Sequence, residues 1–175
     1  MTERPAVAVL GLGNVLRRDD GVGPFLIKIL EGGYEFPDGV SLLDLGTPGP
    51  EFVDYLLEVD IAIVIDSVAA AGTAGDVLVF DREQILSAPL PERLSPHDPS
   101  LREALLTAEL AGQGPSTVIL VGVIPESTEL GTELTTVVRA ALPRAEAEVV
   151  RQLRGLGIEP ATRAGAAKLE IWWER

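Results

Sequence analysis

Short, continuously apolar runs alternate along the chain with longer stretches in which apolar residues recur at helical spacing. Ala6-Val7-Ala8-Val9-Leu10 is apolar throughout and ends in the turn signal Gly11-Leu12-Gly13-Asn14, which predicts a strand buried on both faces. From Gly21 to Glu31, Val22, Phe25, Leu26, Ile29 and Leu30 fall at i, i+3, i+4, i+7 and i+8, one face of a helix that Gly32-Gly33 should stop. Val40 to Asp44 reads as a second strand. Pro50 is placed as the first residue of another helix, with Phe52, Val53, Leu56 and Leu57 inward, and Ile61 to Ile65 as a third buried strand.

The second half continues the alternation. Asp76 to Phe80 predicts a fourth strand, and Asp81 to Pro96 a long polar loop with prolines. Asp98-Pro99 reads as a helix start, with Leu101, Ala104, Leu105 and Ala108 spaced for burial, and Thr117 to Val123 as a fifth strand. Pro143 is expected to open the last long helix, with Ala145, Val149, Leu153 and Leu156 inward. Arg144 with Glu148, and Glu148 with Arg151, are spaced as ion pairs on its outer side. The tail Leu169-Glu170-Ile171-Trp172-Trp173 is expected to pack as an edge strand. The expected architecture is one domain over residues 1–175: an α/β fold, a three-layer α/β/α sandwich around a mostly parallel twisted sheet of about five strands.

Composition narrows the function. With 46% hydrophobic residues in 175, the chain can fill a sizeable core. A formal net charge of −13 argues against binding a phosphate backbone or an anionic membrane, so neither nucleic acid nor a membrane is expected as a partner. There is no cysteine, hence no thiolate nucleophile, disulfide or sulfur-based metal site. The N-terminal residues lack the layout of a signal peptide, and no apolar run approaches the ~20 residues that span a bilayer, so a soluble cytoplasmic protein is expected.

The candidate chemistry centres on the one histidine, His97, in the loop Ser95-Pro96-His97-Asp98-Pro99. Ligands of open α/β sheets bind outside the carboxyl ends of the strands. Asp19 and Asp20 leave the first strand and Asp66 directly follows the third, so their loops open on one edge, which His97 can reach if its loop folds over. Two carboxylates and an imidazole make a plausible divalent-metal site. Taken alone, Asp20 and Asp98 read as helix caps and His97 as a solvated loop residue, whereas a carboxylate following five apolar residues, as Asp66 does, is costly unless paired or coordinated. Gly11-x-Gly13 begins like a dinucleotide fingerprint but lacks the third glycine. Ser67 or Ser95 with His97 and an aspartate makes a conceivable triad, but neither serine occupies a G-x-S-x-G elbow.

Five segments, in order, carry a family resemblance. The run Gly11-Leu12-Gly13-Asn14-Val15-Leu16-Arg17-Arg18-Asp19-Asp20-Gly21-Val22-Gly23 closely resembles the G-x-G-N-x-L-x-x-D-[DE]-G-x-G opening of the hydrogenase maturation endopeptidases, which trim the C-terminus of nickel-iron hydrogenase large subunits. Asp44-Leu45-Gly46-Thr47-Pro48-Gly49 looks like that family's D-G-G-T-x-G loop, and Ile65-Asp66-Ser67-Val68 like its D-[AS]-V strand end. Ser95-Pro96-His97 matches its S-x-H loop, and Gly122-Val123-Ile124-Pro125-Glu126-Ser127 its G-[IV]-x-P-E-S turn. The resemblance runs from Ala6 to Gly157. It implies that Asp20, Asp66 and His97 are the metal-binding and catalytic residues. The partner implied is the large-subunit precursor of a nickel-iron hydrogenase, which supplies the nickel, so the metal is not permanently bound to the peptidase.

Two departures bear on substrate choice. Leu45 stands where the family usually has a second glycine and is expected to present an apolar side chain in that loop. Arg17-Arg18 places positive charge beside the acids, and an ion pair to Asp19 or Asp20 is favoured over contact with an acidic region of the precursor. Asp19 is a candidate support for the metal site or a helix cap, and Asp44 could reach the same edge. Against the endopeptidase stand two other readings: a non-catalytic homologue that binds a metallated partner, and a nucleotide-binding α/β module.

Overall fold

A computed structural model describes residues 6–87, 101–165 and 171–174. Along the chain these form β1 (Val7–Leu12), a 3-10 turn (Arg18–Gly21), α1 (Val22–Gly33), β2 (Tyr34–Glu35), β3 (Val40–Gly46), α2 (Phe52–Leu57) and β4 (Ile61–Ser67). They continue as β5 (Val77–Asp81), α3 (Arg82–Ser87), α4 (Leu101–Leu110), β6 (Thr117–Val123), α5 (Thr136–Gly155) and β7 (Ala161–Thr162). The main sheet has five strands in the order β3-β1-β4-β6-β5, all parallel except β5, which runs antiparallel to β6. β2 and β7 form a separate antiparallel pair.

Both sheet faces are covered, which is why the strands read as unbroken apolar runs. Val7, Val9, Ile63, Ile65, Val121 and Val123 meet α1 and α5 on one face. Ala8, Leu10, Ala62, Val64 and Val118 meet α2, with Ile85 of α3 and Ala104 and Leu105 of α4, on the other. The expected α/β/α sandwich is the observed one.

Four expectations are corrected. The last helix begins at Thr136, not Pro143, and Pro143 lies inside it. Interior proline costs about 3 kcal/mol, but starting the helix earlier buries Val138 and Leu142, at roughly 1.5–3 kcal/mol each. Pro143 sits on the exposed side, where the carbonyl it leaves unbonded can be hydrated. Arg144 does not pair with Glu148: its Nη2 donates to the Gly75 carbonyl at 2.6 Å, while Glu148 takes Arg151. The segment read as loop after Asp81 contains α3, started by a reciprocal capping box that the D-x-x-Q spacing encodes: Gln84 N donates to Asp81 Oδ1 at 2.8 Å and Asp81 N to Gln84 Oε1 at 2.9 Å. Residues 169 and 170 of the expected edge strand lie outside the described residues, and Trp172–Glu174 form a 3-10 turn, not a strand, with Trp173 buried edge-on against Phe25, ring centroids 5.3 Å apart.

α1 also runs through Gly32 and Gly33, ending where Tyr34 turns extended. The expected helix start at Asp98-Pro99 lies outside the described residues, although Ala104, Leu105 and Ala108 of α4 are buried as expected.

Candidate functional site

The carboxyl ends of the neighbouring parallel strands β1, β4 and β6 place three connections on one edge: residues 13–21, 68–76 and 124–135. Two glycines let the first of these fold tightly. Gly13 has φ +131°, and a Cβ there would lie 1.7 Å from the Asp20 carbonyl oxygen. At Gly23, a Cβ would stand 2.1 Å from the Leu12 oxygen and 2.6 Å from the Ile65 oxygen, so α1 starts directly on the ends of β1 and β4. Asp20 is thereby carried to the end of β4, where Asp66 pairs in register with Gly122 of β6.

Ser67 ties the two carboxylates together. Its hydroxyl donates to Asp20 Oδ1 at 2.9 Å and its backbone N–H to Asp66 Oδ1 at 2.8 Å. The other Asp20 oxygen accepts the Asn14 N–H at 3.0 Å. Asp66 keeps some contact with solvent as a residue, but protein crowded around its carboxyl, followed by the charge of Asp20, pushes its pKa up to about 7 against the opposing Ser67 N–H. Among the described residues, the donors to this pair are backbone N–H groups and a hydroxyl, and no cationic side chain bonds to either acid. Among the described residues no third His, Cys, Asp or Glu joins it in a metal-sized cluster, and His97, with Ser95 and Asp98, lies outside those residues.

Asp19 behaves in the opposite way. It is 0% exposed, and its Oδ2 accepts the N–H of Glu126 (2.9 Å), the N–H of Ser127 (3.0 Å) and the hydroxyl of Thr135 (2.9 Å), while Oδ1 accepts the Thr135 N–H at 2.7 Å. Its own N–H donates to the Ser127 carbonyl at 3.1 Å. Backbone and hydroxyl donors, not arginine, therefore hold this acid. The favoured ion pair is corrected: Arg17 Nη1 donates to the Thr128 carbonyl at 3.2 Å, and Arg18 Nε is buried with no hydrogen-bond partner among the described residues. Arg18 also has φ 45°, a strained left-handed conformation costing about 1–3 kcal/mol, held by its N–H to the Gly131 carbonyl at 2.8 Å.

Other readings resolve in the same geometry. Asp20 does not cap α1, whose N-cap Gly21 receives no side-chain bond. Ser67, considered as a nucleophile, spends its hydroxyl proton on Asp20. The amides of the glycine-rich turn are in use, Gly13 N–H on the Gly46 carbonyl and Asn14 N–H on Asp20, so they are not free to cradle a pyrophosphate. Asp44 is exposed and turns back on its own loop, accepting the Gly46 N–H at 3.0 Å. Leu45 packs against the α2–α4 side of the core instead of being presented. Sequence reasoning missed Ser67 as the link between the acids and Thr135 as a partner of Asp19. Ser67 stood next to Asp66 in the sequence, whereas nothing local marked Thr135.

Fold and site together define an α/β/α protein with two acids, Asp20 and Asp66, joined through Ser67 at the carboxyl edge of its parallel strands. Residues 24–152 match the model of the hydrogenase maturation protease family. The chain is 34% identical to the hydrogenase 2 maturation protease of Escherichia coli K12 over 157 residues, which is 90% of this chain and 96% of that protein. It is 33% identical to the hydrogenase expression/formation protein HoxM of Azotobacter vinelandii, covering 94% of this chain and 80% of that one. The solved hydrogenase maturating endopeptidase HybD from E. coli superposes with a TM-score of 0.83 at 34% identity, covering 90% of this chain and 97% of that one. The chain belongs to the hydrogenase maturation protease family, and it is an endopeptidase.

Proposed function

We propose that this endopeptidase acts in the cytoplasm on the immature large subunit of a nickel-iron hydrogenase, recognises the nickel already inserted there, and removes the subunit's C-terminal extension. Asp20, Asp66 and His97 are the residues assigned to touch the metal and to carry catalysis. The observation that supports this most is the Asp20–Ser67–Asp66 arrangement: two acids from different loops held side by side by one serine. Two carboxylates with an imidazole suit a borderline divalent ion such as nickel. Because the nickel arrives with the precursor, an unloaded precursor leaves the acids without their ligand and is not cut.

When held by Asp20, Asp66 and His97, the ion would supply Lewis acidity for peptide hydrolysis. The chain's own part is to hold the ion. Ser67 fixes the spacing of the two carboxylates, and Asn14 N–H takes up the Asp20 oxygen that the serine leaves free. In the absence of the ion, the protein crowded around the Asp66 carboxyl and then the charge of Asp20 raise its pKa to about 7, so a bound ion would compete with a proton there.

The test is the intact mass of the precursor after incubation with the wild-type protein or with His97→Ala, each with and without nickel. Loss of a C-terminal peptide only with nickel and only with His97 present is the expected result. Cleavage of the nickel-free precursor, or full activity of His97→Ala, overturns the reading.

A further inference from the structure

We infer that Asp19 is a positioning residue for Asp20, acting by locking the loop of residues 124–135 onto the Arg18–Gly21 turn. The inference rests on the metal role proposed above for Asp20, and it concerns a residue that does not itself touch substrate or metal.

The geometry carries it in three steps. Asp19 and Asp20 are consecutive in a 3-10 turn, in which successive side chains point about 120° apart. Fixing the direction of one therefore fixes the direction of the other. Asp19 is fixed by the four donors of Glu126, Ser127 and Thr135, at 2.7 to 3.0 Å. The turn and the loop are also stitched by backbone bonds on either side, Gly131 N–H to the Leu16 carbonyl at 3.0 Å, Arg18 N–H to the Gly131 carbonyl at 2.8 Å and Asp19 N–H to the Ser127 carbonyl at 3.1 Å. Finally, the turn is strained at Arg18, with φ 45°, so it does not hold this shape on its own account. With the lock in place, Asp20 faces the other way, onto Ser67 Oγ and Asn14 N–H.

The variants Asp19→Asn and Thr135→Ser separate positioning from mere stability. Asn keeps the size of Asp19 but turns one acceptor oxygen into an NH2 group facing N–H and O–H donors, so at least one bond is lost. Thr135 remains to cap α5, accepting the Val138 N–H. Thr135→Ser keeps the hydroxyl and serves as the conservative control. Three readouts apply: calorimetric titration with nickel or cadmium, kcat and KM on the nickel-loaded precursor, and hydrogen exchange of the Asn14 amide, which reads the position of the Asp20 carboxylate without any metal.

For Asp19→Asn the expected result is a loss of about tenfold or more in metal affinity and in kcat. KM is expected to change less than kcat, and Asn14 amide protection to fall while that of Ile63 in the core strand is unchanged. Thr135→Ser stays close to wild type in all three. If Asp19→Asn does not fold, Thr135→Val takes its place, with Asn14 protection again the deciding quantity. Unchanged Asn14 protection in the folded variant overturns the inference, as does a lowered melting temperature with metal affinity and kcat intact. A wild type that neither binds metal nor cuts sinks the functional reading instead, while the exchange measurement still decides the role of Asp19.

Discussion

Asp19 and Asp20 are adjacent in sequence and have opposite surroundings. Asp19 is wholly buried and receives four hydrogen bonds from a single loop. Asp20 is partly exposed, receives two, and faces a second carboxylate across Ser67. A buried charge surrounded by donors is saturated and has no capacity left for a ligand. Two acids sharing a serine, with no cationic side chain bonded to them among the described residues, retain that capacity. The contrast teaches that acidic character alone does not mark a metal site. Unfilled acceptor capacity is what separates the acid proposed to meet a metal from its saturated neighbour.

The largest test of this contrast is Asp20→Ala. It should lower the rate of precursor cleavage by about 1,000-fold or more, equivalent to about 4 kcal/mol of transition-state stabilisation, with a small change in the denaturation midpoint. Asp19→Ala should reverse the pattern of stability, costing roughly 3 kcal/mol in chemical denaturation because three N–H groups and a hydroxyl lose their acceptor. If both variants lose stability equally, the division between a saturated and an available acid fails.

The acidic pair also makes a prediction about pH. Asp66 has an ordinary carboxyl pKa of 3.8 and one raised to about 7 in the fold. Between those values the folded metal-free protein binds more protons than the unfolded chain, so its stability should fall as pH rises from about 4 to about 7 and level off above that. Asp66→Asn keeps an acceptor for the Ser67 N–H and cannot ionise, so melting curves of this variant should lose that slope, leaving it more stable than wild type at pH 8. Metal affinity of the wild type should rise across the same window, as the competing proton is lost. A flat wild-type profile would show that Asp66 is not perturbed. The smallest effect is at Arg18, where asparagine tolerates the left-handed conformation better, and Arg18→Asn should raise stability by up to about 1 kcal/mol.

The sheet was legible because a parallel strand covered on both faces must be apolar along its buried length, as residues 7–12, 61–65 and 118–123 are. Pro143 misled because local propensity weighs one residue, whereas the apolar face of α5, from Val138 to Leu153, lies on both sides of it. α3 was legible in principle, through the Asp81 and Gln84 pairing, but the prolines that follow at 89, 91 and 96 give the stronger loop signal. In the site, Asp20 and Asp66 could be read because each stands at a strand end or turn next to an apolar run. The partners of Asp19 could not: they are 107, 108 and 116 residues further along, and no local pattern reports a contact across that distance. The arginines at 17 and 18 were misassigned because sequence proximity of opposite charges says nothing about which donors the fold brings closer.

That separation along the chain has a consequence in time. During synthesis Asp20 and Ser67 emerge early, but Thr135 follows Asp19 by 116 residues, which at about 5–20 residues per second is roughly 6–23 s. Until then the Arg18–Gly21 turn lacks the donors that lock it. A nascent chain therefore carries Asp20 and Asp66 well before it carries the donors that lock the turn beside them, and the edge of the sheet takes its final form only after Thr135 has been made.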